Sequence, residues 1–105
     1  MILPYREVAD YEALTRDEQI EIAVTIDRCI RWLKQALRPE GFNVGMNLGK
    51  AGGAGLPGHL HVHIVPRWSG DTNFMPTVAD VKVIPEAMRD TYNAIRAAIR
   101  AEPFK

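Results

Sequence analysis

The sequence predicts a chain of mixed helix and strand, with one amphipathic helix before a strand hairpin and another after it. Three observations carry that reading. Ile22, Ile26, Cys29, Leu33 and Leu37 recur at steps of four and three, which puts them on one helix face. Phe42, Val44, Met46 and Leu48 alternate with Asn43, Gly45, Asn47 and Gly49, the period of a strand with one buried face. Met88, Tyr92, Ile95 and Ile99 return to helical spacing.

The 105 residues are enough for one domain with a modest core. Lys+Arg and Asp+Glu both number 13, so the formal net charge is zero. A general nucleic-acid binder would carry a basic excess, so no nucleic-acid partner is expected. A small anion held by a few donors stays within reach. Cys29 is the single cysteine, which excludes an intrachain disulfide and points to a reducing, cytoplasmic setting. No apolar run approaches the roughly 20 residues of a membrane span, and no membrane partner is expected. No secretory leader is visible at Met1.

Met1, Ile2 and Leu3 read as the tail of a strand whose earlier part is missing. Thr15-Arg16-Asp17-Glu18 has the capping-box pattern, a hydroxyl at the N-cap and a carboxylate three residues on. Pro39-Glu40-Gly41 stops that helix. Cys29 lies on the apolar stripe and reads as a small core residue. The strand from Phe42 shows only Asn and Gly on its second face, which lets another group approach the backbone closely. Four of the nine residues from Lys50 to Gly58 are glycine. Such a turn can converge backbone N–H groups on an anion, or simply join two strands. His59 to Pro66 reads as the second strand, and Arg67 to Asn73 as a polar turn. Val81 to Ile84 is expected to be a short strand. Pro85 and Glu86 suit the first turn of the second helix, which Pro103 ends.

All three histidines fall within five residues, His59-Leu60-His61-Val62-His63. On a strand they share one face, while Leu60, Val62 and Ile64 bury on the other. Three protonated imidazoles there would repel, so the cluster calls for neutral rings, an anion or a metal. Three chemistries fit: a histidine nucleophile on a phosphate, a zinc site, and a general base for hydrolysis. Zinc sites often add a carboxylate or cysteine, and none lies near this strand. The glycine-rich loop just upstream favours phosphate, and no metal or other cofactor is expected.

His59-Leu-His61-Val-His63-Ile-Val resembles the signature of the histidine triad (HIT) superfamily. Asn47-Leu-Gly, the Gly/Ala turn and Val65-Pro-Arg-Trp before Gly70-Asp-Thr-Asn-Phe are similar to its diadenosine tetraphosphate phosphorylase/hydrolase branch. Pro4-Tyr5-Arg6-Glu7-Val8-Ala9-Asp10 is similar to a segment of the same branch. The resemblance implies an α+β, HIT-like fold with an antiparallel sheet and two main helices, and residues 1–105 as a single HIT-like domain. It also implies a shortened N-terminus, because relatives carry a helix and hairpin before the Met1 position that form the base and ribose pocket. It implies a homodimer and a nucleotide or dinucleoside polyphosphate substrate attacked at its α-phosphorus. His61 takes the nucleophile position and would form a nucleotidyl-histidine intermediate. His59 and His63 take the flanking positions that contact phosphate and leaving group. Asn47 and the turn residues Gly53, Ala54 and Gly55 take the phosphate-binding positions. Relatives carry Ser, Thr or Gln in that turn; here leaving-group handling falls to backbone and histidine. A nucleoside phosphoramidase shares the intermediate, and a non-catalytic nucleotide-binding remnant shares the motif.

Other residues have two readings each. Arg67 meets a distal phosphate or sits at the surface. Trp68 stacks on a base or packs at an interface. Asp71 and Asn73 read as turn residues. Asn43 shares a face with Asn47, Lys50 reads as solvated, and Trp32 follows its helix stripe imperfectly.

Overall fold

In the computed structural model, which describes residues 1–54, 58–71 and 85–104, Thr15 opens the first helix by the chemistry its sequence encodes. The Thr15 N–H donates to Glu18 Oε1 at 2.8 Å, and the Glu18 N–H donates to Thr15 Oγ1 at 3.1 Å. These reciprocal bonds satisfy two of the donors that a helix start leaves unpaired. Helix α1 runs Arg16–Leu37. It ends where Arg38 takes a positive φ of 49° and Pro39 follows.

Strand β1 is Gly41–Gly45 and strand β2 is His63–Arg67, paired in a two-stranded antiparallel sheet. Both are shorter at the hairpin end than the alternation suggests. The histidine segment gains a second partner, on its other edge, in the first eight residues. Ile2 exchanges both backbone bonds with Val62, at 2.8 and 2.9 Å, and Leu60 N–H donates to the Val8 carbonyl at 2.6 Å. Residues 60 and 62 therefore pair with the start of the chain. Helix α2 is Pro85–Ala101, with Pro85 at its first position. The expected strand at Val81–Ile84 lies outside the described residues.

The chain divides into two compact units, one of Met1–Asp27 with Asn43–Ile64 and one of Arg28–Phe42 with Val65–Lys105. The first holds the core: Val8, Leu14, Ile22, Leu60 and Val62 are buried, with Ile2, Ile26 and Met46 packed against them. Val62 is wholly enclosed. Of the expected strand face, Met46 joins this core, whereas Val44 and Leu48 stay exposed. An alternating pattern states which face is apolar; burial happens only where something covers it.

In the second unit Trp32 Nε1 donates to the Glu102 carbonyl at 2.6 Å, and its ring stands 6.2 Å from that of Phe104. Arg28 pairs with the Glu102 carboxylate at 3.1 Å. Cys29 and Leu33 on the α1 stripe are half-buried. Among the described side chains of α2, Ala98 is buried, while Met88 and Tyr92 are exposed, unlike the expectation from their spacing. Among the described residues, no helix is long and apolar enough to cross a membrane.

Candidate active site

The histidine segment is less regular than a strand reading predicts. β2 begins at His63, so His59 and His61 precede it. The alternation nonetheless holds. Leu60 and Val62 enter the core, and all three histidines are half-buried away from it. Ile64 is only half-buried.

Each ring has its own setting. His61 Nδ1 lies 3.4 Å from the His59 carbonyl oxygen. A carbonyl only accepts, so this contact puts a proton on Nδ1; in the neutral ring the lone pair is then on Nε2. His59 Nε2 lies 3.0 Å from the Pro4 carbonyl oxygen, which likewise assigns it the donor role. The His63 ring lies across the hairpin over Gly45; a Cβ at position 45 would stand 3.6 Å from His63 Nε2. The Asn/Gly face of β1 thus meets the histidine, as the glycine in that alternation foretells. The partners of His59 and His61, two backbone carbonyls, leave no side-chain signature in sequence.

The glycine turn departs from an open anion nest. Lys50–Gly52 forms a single 3₁₀ turn between Gly49 (φ 69°, ψ 163°) and Gly53 (φ 89°). Gly52 and Ala54 N–H both donate to the Gly49 carbonyl, and Gly53 N–H donates to that of Lys50, each at 3.1 Å. The same glycine freedom that allows amides to point outward here folds them onto the turn's own carbonyls. Asn47 Nδ2 reaches the Gly53 carbonyl at 3.5 Å, which ties this asparagine to the turn. Gly55 lies outside the described residues.

Other candidates fall elsewhere. Arg67 Nε donates to both Asp71 carboxylate oxygens, at 3.0 and 2.9 Å, its Nη2 donates to Oδ1 at 2.5 Å, and the Trp68 N–H donates to Oδ2 at 2.9 Å. Arg67 and the Trp68 N–H hold the Asp71 carboxyl below its ordinary range. Asp71 is a turn residue, and Arg67 fastens it. Burial pushes the Cys29 thiol up, which keeps it from acting as a thiolate. Among the described residues, no three His, Cys, Asp or Glu side chains are grouped to hold a metal ion. A cleft of about 370 Å³ lies against Ile2, Leu3, Arg6, Glu18 and Ile22, and the histidines do not line it.

The His59-Leu-His61-Val-His63 segment beside a glycine-bearing strand, with a turn tied to an asparagine, agrees with what family comparison finds. The HIT domain matches residues 1–70, and the chain belongs to that family. It is 45% identical over 103 residues to AP-4-A phosphorylase of Mycobacterium tuberculosis, in strains CDC 1551 / Oshkosh and ATCC 25618 / H37Rv. The alignment covers 98% of this chain and 53% of that protein, so the chain spans about half the relative's length. Two solved structures share the fold. A hypothetical histidine triad nucleotide-binding protein of Sulfolobus tokodaii superposes with a TM-score of 0.74 at 24% identity, over 94% of this chain and 67% of that one. A zinc-bound histidine triad family protein of Mycobacterium smegmatis gives 0.72 at 24% identity, over 94% and 66%.

Proposed function

We propose that this chain carries the nucleotidyl-transfer site of a HIT enzyme acting on a dinucleoside polyphosphate or a related nucleotide conjugate. The observation that carries the reading is the His61 Nδ1 contact with the His59 carbonyl. In the neutral ring it places the lone pair on Nε2, the form a nucleophile needs.

Nε2 of His61 attacks the α-phosphorus. An N–P bond forms, the P–O bond to the rest of the polyphosphate breaks, and its electron pair leaves with that oxygen. For diadenosine tetraphosphate the products are adenylyl-His61 and ATP. An oxygen of inorganic phosphate or of water then attacks the same phosphorus, the N–P bond breaks, and ADP or AMP departs. The name of the M. tuberculosis relative supports phosphate as the acceptor. His59 and His63 flank the nucleophile, and His63, Asn47 and the turn at Gly53, Ala54 and Gly55 border the phosphate. For Gly53 and Ala54 to donate to an anion, their N–H groups must exchange the turn's internal bonds for phosphate oxygens. Positive donors aimed at developing phosphoryl charge are the main source of rate in such a site. We place the active form in a homodimer.

The test is to mix the chain with diadenosine tetraphosphate, quench in denaturant, and weigh the peptide containing His61. An increase of one adenylyl group, lost in His61→Ala, supports the reading. A folded protein that gives neither adduct nor product overturns it. Cleavage confined to an adenosine phosphoramidate redirects the substrate class to phosphoramidates.

A further inference from the structure

We infer that His59 is a positioning residue, and that its ring holds the peptide that orients His61 instead of meeting substrate. The inference rests on the reading of His61 as nucleophile.

The N-terminal segment pairs with the histidine segment at two points, Ile2 with Val62 and Val8 with Leu60. Between them, residues 3–7 on one side stand opposite His61 alone on the other. A five-residue loop facing one residue needs fastening, and it is fastened twice. Arg6 Nη2 donates to the Ala13 carbonyl at 2.9 Å and to Glu18 Oε1 at 2.7 Å, tying the loop to the start of α1. His59 Nε2 donates to the Pro4 carbonyl at 3.0 Å, tying it to the histidine segment.

The second fastening controls the nucleophile through one peptide plane. The His59 carbonyl and the Leu60 N–H belong to the same planar trans unit and point in opposite directions. The Leu60 N–H is held by Val8 at 2.6 Å, so the His59 carbonyl is turned toward His61 Nδ1. The ring of His59 clasps the loop that ends at Val8. Loss of the clasp frees that loop, the Leu60 bond weakens, and the carbonyl that selects the His61 tautomer loses its direction. The Nε2 atom of His59 is committed to Pro4, so that atom is not a phosphate ligand.

The experiment compares wild type, His59→Ala and His59→Gln, whose amide nitrogen reaches about as far as Nε2. Nitrogen-15 NMR reads the His61 tautomer, amide exchange reads Leu60, and kinetics with diadenosine tetraphosphate and phosphate separate kcat from KM. We expect His59→Ala to shift His61 away from the Nδ1–H form and to speed Leu60 exchange about tenfold, the scale of one lost hydrogen bond. We expect kcat to fall with KM nearly unchanged, and His59→Gln to restore all three readouts. Should His59→Ala not fold, His59→Asn, whose amide stops short of Pro4, replaces it. An unchanged tautomer and unchanged Leu60 exchange overturn the inference, whatever the activity. Raised KM without rescue by Gln also overturns it, because that marks a ligand to substrate. The NMR and exchange readouts need no turnover, so failure of the clasp is distinguishable from failure of His61 as nucleophile.

Discussion

His63 and Gly45 face each other across the hairpin so closely that a methyl group on position 45 would stand 3.6 Å from the imidazole Nε2. That is ordinary contact distance, so Gly45→Ala is expected to leave turnover nearly unchanged. A branched side chain extends past that methyl into the ring. Gly45→Val is expected to displace His63 and lower kcat/KM about 10²-fold, the scale of a misplacement of about 1 Å. Steady-state kinetics on the two variants check the contrast, and equal activity in both would contradict it.

His61→Ala removes the proposed nucleophile from a half-buried position outside the core. Its circular dichroism and melting temperature should match wild type. Turnover should fall at least ~10³-fold, as for other nucleophiles that form covalent intermediates. Retained turnover would rule out a nucleotidyl-His61 intermediate.

Val62 is fully enclosed, and its backbone pairs with Ile2. Val62→Ala keeps the backbone bonds and deletes two methyl groups. The expected loss is about 2 kcal/mol from transfer and the cavity left behind. Thermal unfolding should show a fall of about 8–16 °C for a domain of this size.

Glu18 accepts from Arg6 and from the Thr15 N–H, and these bonds hold its carboxyl at about 2, below the ordinary 4.5. A carboxyl depressed in the folded state stabilises above its unfolded value, and that stability is lost as pH falls through the folded one. The melting temperature of wild type should therefore drop between pH 4.5 and 2. Glu18→Gln, which cannot ionise, should start lower and show a flatter profile across that window. Parallel slopes would assign the acid sensitivity to other carboxyls.

The backbone N–H and C=O of Leu3 have no partner among the described residues, and Met1 and Tyr5 beside it are exposed. Open backbone groups beside the Ile2–Val62 bridge can accept another strand. Light scattering at micromolar concentration is expected to give a dimer or a larger assembly. A monodisperse monomer would contradict the proposed homodimer.

How much of this was legible in the sequence depended on how far each signal reaches. The Thr15–Glu18 cap and the Pro85 start were readable because the atoms involved lie within one helical turn. A close approach to the Asn/Gly face of β1 was readable from the alternation, whereas the particular pairing of His63 with Gly45 depends on the hairpin register. The pairing of residues 60 and 62 with residues 8 and 2 was not readable, because those partners lie more than fifty positions away. The inward direction of the Gly52, Gly53 and Ala54 amides was not readable, because positive φ permits amides to point out or in. Met88 and Tyr92 show the same limit: their spacing defines an apolar face without supplying a cover. The carbonyls of Pro4 and His59 are invisible to any reading of residue type, since every residue has one.

Trp32 holds the end of the second unit by an indole N–H bond to the Glu102 carbonyl and a tilted stack on Phe104. One consequence is optical. The indole is only half-buried, so its emission reports whether the segment after α2 is docked. In a Trp68→Phe background, undocking should move the emission to longer wavelength as water reaches the ring. A fluorimeter could then follow the tail of the second unit independently of the histidines, which belong to the first.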